Sequence, residues 1–252
     1  MWLRVLAFFV YLFLYAPIFI VIAYSFDSSK LGVAWTGFTL QWYQQLFEDE
    51  ALLSALRNSL LVAAVSVSIS AVMGTMAAVG LTRYKFPGSG LIRTLTMLPV
   101  IIPEIAMAVS ALTLFVALGM KLSLQTIIVS HIVFCVAYIT LVVLGRLQGI
   151  DERLEEAARD LGAGPIEAFM KVTLPLLMPG ILSGSLLAFV LSLDDFVITQ
   201  FTAAVGSTNL PLWIYSSVKF GVSPEINALS TIMITLTAGA LLLSHFVRRE
   251  QT

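Results

Sequence analysis

Three carboxylates, Glu104, Asp194 and Asp195, stand inside stretches that otherwise read as lipid-soluble. An ionisable side chain at membrane depth costs about 3 kcal/mol or more, and it marks an ion or substrate path by default. Pro99 and Pro103 bracket the turn before Glu104. Each proline removes a backbone donor and opens its helix, which is tolerated at membrane depth where the backbone lines a cavity. Every Lys and Arg falls in a loop or near the end of an apolar run, so no internal cation neutralises these acids. A cationic cargo is their natural partner, because ammonium groups favour the ionised carboxylate. The alternative is that the acids hydrogen-bond to Ser or Thr on neighbouring helices and brace a bundle. Adjacent Asp194 and Asp195 project about 100° apart on a helix, so one of them facing a path is sufficient.

A second constellation is the polar island from Asp151 to Pro175, DERLEEAARDLGAGPIEAFMKVTLP. Asp151 is a suitable N-cap, and Glu152, Glu155 and Glu156 place negative charge in the first turns, where the helix dipole favours it. Leu154, Ala157, Ala158 and Leu161 form one narrow apolar stripe. Glu155 and Arg159 are spaced to pair across a turn. Gly162 is placed to end the helix in a left-handed conformation. Pro165 suits the first turn of a second helix, which continues through Ile166, Phe169 and Met170 until Pro175. The small Ala157 and Ala158 admit another surface. The island is either a docking handle for a soluble partner or an amphipathic helix lying on the membrane.

The elements that must position these residues follow from composition. The chain is 59% hydrophobic and 12% charged, against roughly 45–50% and about 25% in soluble domains. Runs near the roughly 20 residues that cross a hydrocarbon core occur at about Val5–Phe26, Ser59–Leu81, Leu95–Leu118, Leu124–Gly145, Gly180–Ala203 and Ile226–Val247. Each must be helical in lipid. The first is too long for a signal-peptide core and reads as a retained helix. With the N-terminus inside, Arg4, Arg83, Lys85, Arg93, Arg146, Arg153, Arg159, Lys171, Arg248 and Arg249 fall on the cytoplasmic side, and Lys30, Arg57, Lys121 and Lys219 outside. That bias is the positive-inside pattern. It puts both termini and the island in the cytoplasm and runs the third and fifth helices in the same direction, so the three acids can meet at similar depth. The aromatic outer segments 27–58 and 205–225 suit interfacial anchoring or docking of an external partner. One domain spanning 1–252, with the loop at about 146–176, is the simplest assignment.

Other chemistries lack a signature. No phosphate-binding GxxxxGK[ST] sequence occurs, so ATP hydrolysis is not expected of this chain. His131 and His245 stand alone in apolar runs and read as packed hydrogen-bonders, with no metal-ligand spacing. The single cysteine, Cys135, reads as packing, and the helix serines as sites of close helix approach. A net charge of −1 gives no case for nucleic acid.

Glu156-Ala157-Ala158, Gly162 and Leu174-Pro175 resemble the cytoplasmic EAA loop of ABC importer permeases, with Val172 where that pattern has Ile. The resemblance implies an all-α, six-helix permease of the type I (MetI-like) class. Its loop is a coupling helix seated in a groove of a separate ATPase, with Glu156, Ala157, Ala158, Asp160 and Gly162 at the contact. Tyr15–Pro17, Ser25–Lys30, Leu191–Phe196 and Gly221–Ala228 resemble the second membrane subunit of spermidine/putrescine-type permeases along essentially the whole chain. That likeness implies polyamine import across the bacterial inner membrane, with Glu104, Asp194, Asp195 and more weakly Trp42 on the path. The Trp42 ring face would hold an ammonium by cation–π attraction worth about 0.5–2 kcal/mol. The implied partners are a non-identical second permease, two ABC ATPases that use ATP and Mg, and an external binding protein; no cofactor is expected on this chain. Rival readings are an amino-acid or ferric-ion permease, and a channel or sensor without ATP coupling.

Overall fold

The computed structural model describes residues 2–29, 35–151, 153–219 and 224–235, and the described residues are helical apart from loops and one isolated bridge between Asp27 and Phe38. In chain order the helices are α1 (Trp2–Tyr24), α2 (Gln41–Glu48), α3 (Glu50–Arg83), α4 (Ser89–Ile101), α5 (Glu104–Ala117), α6 (Leu124–Leu147), α7 (Arg153–Asp160), α8 (Pro165–Ala168), a π-helical turn (Phe169–Thr173), α9 (Leu174–Asp194), α10 (Val197–Thr202) and α11 (Leu210–Lys219). Residues 224–235 are also helical.

Among the described residues, four helical segments are long and apolar enough to cross a bilayer: Trp2–Tyr24, Glu50–Arg83, Leu124–Leu147 and Pro165–Asp194. A fifth span is made if α4 and α5, bent by 113° at their junction, are taken together. The sixth expected run, Ile226–Val247, begins within helical residues 224–235. Its remainder, with His245, Arg248 and Arg249, lies outside the described residues, as does Lys30.

The chain divides into two compact units, one of residues 1–53 and 213–252 and one of residues 54–212. In the first, the segment after α1 folds on itself. Trp42 is buried on α2, and its indole N–H donates to the Asp27 carbonyl at 2.7 Å. The Asp27 carboxylate accepts from the Thr36 amide at 2.8 Å. Phe26 stacks on Phe38, with centroids 5.5 Å apart.

The second unit is built around α6, whose buried face includes Ile127, His131, Cys135, Ile139 and Val143. Small residues let its neighbours close in. On α9, Gly180, Gly184, Ala188 and Ser192 recur every fourth residue and are all buried. A Cβ at Gly180 would lie 2.7 Å from the Arg146 Cβ, and one at Gly184 would lie 3.2 Å from that of Val142. On α3, Ser66 and Ser70 donate to the α6 carbonyls of Ile128 and Ile132. These are the close-approach serines expected from the sequence.

Two expectations about helix ends are corrected. The second loop helix does not stop at Pro175. It widens into the π turn, where the Leu174 amide reaches back five residues to the Phe169 carbonyl, and this widening accommodates the proline, so that the helix continues as α9. The run Gly180–Ala203 is not one helix. It breaks after Asp194, because the Asp195 carboxylate captures the amides of Ile198 at 3.2 Å and Thr199 at 2.9 Å and starts α10 afresh. Asp195 thus stands one residue before the N-cap, Phe196, and its carboxylate satisfies first-turn amides in the middle of an apolar stretch.

Candidate functional site

The second unit brings the three acids together. The α4–α5 break falls at Ile102–Pro103, where Pro103 precedes the helix that Glu104 begins. The α9–α10 break falls at Asp195. Glu104, Asp194 and Asp195 line one cavity of about 400 Å³, walled also by Pro99, Tyr138 and Leu191. Both breaks open toward this space, as expected where unpaired backbone needs polar surroundings.

The acids are not equivalent. Glu104 and Asp194 are exposed, whereas Asp195 is 4% exposed. The Asp195 carboxylate accepts from two backbone amides, from the Thr199 hydroxyl at 2.8 Å and from His131 Nε2 at 3.2 Å. Because an ionised carboxylate only accepts, the Thr199 hydroxyl proton points at Asp195. The hydroxyl oxygen then accepts from Asn209 Nδ2 at 3.0 Å and lies 3.2 Å from His131 Nε2. His131 Nε2 therefore carries a proton, and its Nδ1 pairs with the Ser192 hydroxyl at 2.8 Å. Asp195 takes four donors from the protein and also meets Glu104 in a side-chain hydrogen bond, and Glu104 and Asp194 are the exposed carboxylates of the cavity.

His131 is the residue that sequence reasoning left aside. It is fully buried and, as expected, a packed hydrogen-bonder. Its Asp195 partner, however, lies 64 residues away. The available signal was the pairing of a lone histidine with an acid at similar membrane depth. Replacing His131 with Leu withdraws one donor from a buried carboxylate and leaves Ser192 without its partner. The expected cost is about 1–3 kcal/mol, read as a lower thermal midpoint of the purified complex, with His131→Gln recovering part of it. An unchanged midpoint in His131→Leu refutes this role.

Trp42 lies in the other unit, buried, with its N–H engaged as described above.

The polar loop has the local structure that its residues dictate. Asp151 accepts from the Arg153 amide at 3.0 Å. Gly162 turns at φ +93°, and the Ala163 amide reaches back to the Ala158 carbonyl. Pro165 opens α8. Leu154 and Leu161 are exposed, as are Glu156, Ala157 and Asp160, so the apolar stripe has no cover among the described residues.

Glu155 alone on α7 is buried. It accepts from Arg83 Nη1 at 2.8 Å, Arg159 Nη2 at 2.6 Å and the Thr173 hydroxyl at 2.6 Å. Burial opposes its ionisation. The Thr173 hydrogen bond and the two guanidinium groups outweigh that and hold its carboxyl below the usual carboxylate range. A depressed pKa stabilises the fold above the unfolded value of about 4.3, and the contribution is lost as pH falls through the folded one. The cluster is therefore fully charged at neutral pH.

Apolar spans, two broken helices meeting at acids and a polar loop with an uncovered stripe define a membrane-embedded transport permease. The chain belongs to the family of binding-protein-dependent transport system inner membrane components, whose model matches residues 70–249. It is 40% identical over 243 residues to the spermidine/putrescine transport system permease protein PotC of Haemophilus influenzae, covering 96% of this chain and 95% of that one. It is 44% identical over 229 residues to the putrescine transport system permease protein PotI of Escherichia coli, covering 88% and 82%. Among solved structures, a bacterial ABC transporter importing the acidic polysaccharide alginate superposes with a TM-score of 0.74 at 16% identity, covering 99% of this chain and 95% of that one. An amino acid ABC transporter gives 0.62 at 21%, covering 84% and 100%. These two establish the fold alone. The chain is a permease subunit of a binding-protein-dependent transport system and not an enzyme.

Proposed function

We propose that the chain carries a polyamine, spermidine or putrescine, through the bacterial inner membrane by alternating access. The observation that carries this reading is the meeting of Glu104 and Asp194, both exposed, in one cavity beside the buried Asp195. Two exposed carboxylates in one cavity suit a flexible cation with separated ammonium groups. Identities of 40–44% to permeases named for spermidine and putrescine support the same cargo. In this reading both termini and the loop face the cytoplasm. A non-identical second permease completes the path, and an external binding protein delivers the cation. Two ATPase subunits, using ATP and Mg, engage the exposed stripe around Glu156, Ala157, Ala158, Asp160 and Gly162.

The test is radiolabelled spermidine uptake into vesicles holding the whole complex, challenged with unlabelled competitors. Putrescine and spermidine are expected to suppress uptake at concentrations where amino acids and ferric ion do not. Suppression by an amino acid or ferric ion alone overturns the cargo assignment.

A further inference from the structure

We propose that Arg83 and Glu155 form an ionic strut that makes α3 follow the polar loop, so that both are positioning residues for energy coupling. The proposal rests on the reading of the loop as the ATPase docking element. It adds a member that reading does not contain, since Glu155 faces away from the docking stripe.

One buried carboxylate gathers the ends of three elements. Arg83 is the last residue of α3, Glu155 sits on α7, and Thr173 closes the π turn that leads into α9. The side chains of Arg83 and Glu155 are 15% and 11% exposed, so water competes weakly for the pair. Charge-assisted hydrogen bonds of this length are the stronger kind. Next to the strut, α3 and the loop are held apart by a cavity of about 810 Å³, lined by Thr75, Met76 and Val79 on one side and Glu156, Pro165 and Phe169 on the other. Arg83 and Glu155 bridge the two walls of this cavity. The covalent chain carries any displacement of α7 into α9 through the π turn, but α3 is 72 residues distant from Glu155 in sequence and receives it through Arg83. Separating the pair gives up a charge-assisted bond at a place where water competes weakly, so the two residues move together.

The test uses the complete complex in proteoliposomes and reads uptake per ATP hydrolysed. Arg159 would repel an arginine placed at 155, so the reversals Arg83→Glu, Glu155→Arg and the double swap are made beside Arg159→Gln, which alone sets the reference. Each single reversal is expected to lower the ratio at least fivefold, and the double swap to restore at least half of it. Glu155→Gln, which keeps an acceptor for Thr173, guards against loss of folding and is expected to lower the ratio in the same direction. Single variants at the reference ratio, or an assembled double swap without recovery, overturn the strut. Reduced coupling in Glu156→Arg beside normal coupling in the strut variants rejects the strut and leaves the docking reading standing. Normal coupling in all of them rejects the docking reading too.

Discussion

Uptake of radiolabelled spermidine by the assembled complex is expected to fall at least tenfold in Glu104→Gln, with ATPase co-purification unchanged. The argument is one of spare capacity. Asp195 is occupied by four donors, so it cannot replace a lost carboxylate without dismantling the start of α10. Only Asp194 then remains to meet a cation in the cavity. A charge pair near 4 Å is worth about 4 kcal/mol at an effective dielectric of about 20, and tenfold corresponds to about 1.4 kcal/mol, so retaining a third of that interaction still gives the stated loss. Asp194→Asn is expected to act in the same way. Asp195→Asn differs: it cripples uptake and lowers the thermal midpoint together, because the amide presents a donor to groups that are already donors. Normal uptake in Glu104→Gln removes the cation path from this cavity.

In Gly162→Val, ATP hydrolysis by the complex is expected to continue while uptake falls at least tenfold. Gly162 holds φ +93°, and a Cβ there meets nothing within 4 Å. The cost is thus purely conformational, about 1–2 kcal/mol for an L-residue in the left-handed region and more for a β-branched one. The chain escapes it by abandoning the turn that aims α7 and α8 apart, which displaces the docking stripe without touching the membrane spans. Asn tolerates left-handed backbone, so Gly162→Asn is expected to retain much of the uptake. Equal uptake in Gly162→Val and the parent complex refutes the coupling role of this turn.

Much of this was legible in the residues. The caps and turns of the loop are local devices: Asp151, Gly162 and Pro165 each act within four residues, and each does what its type requires. The meeting of Glu104 with the aspartates followed from depth and direction. What escaped was long-range. The partners of His131 and Glu155 lie 64 and 72 residues away, and helical period gives a face but not the neighbour that covers it. Glu155 and Glu156 are adjacent and chemically alike, yet one is buried among cations and the other exposed; only packing distinguishes them. The break after Asp194 was hidden because no glycine or proline marks it. An acid usually read for its charge was acting on the backbone instead.

The π turn and α9 have a mechanical consequence. From Pro165 to Asp194 the helix is continuous, 30 residues in all, or about 45 Å at 1.5 Å per residue. It is a lever arm with the docking loop at its foot and an acid at its tip. A tilt of about 5° at the foot swings the tip by about 4 Å over that length. That stroke exceeds the length of a hydrogen bond. Under the proposed cargo, a small rotation at one end would therefore suffice to make or break a contact between Asp194 and an ammonium group at the other.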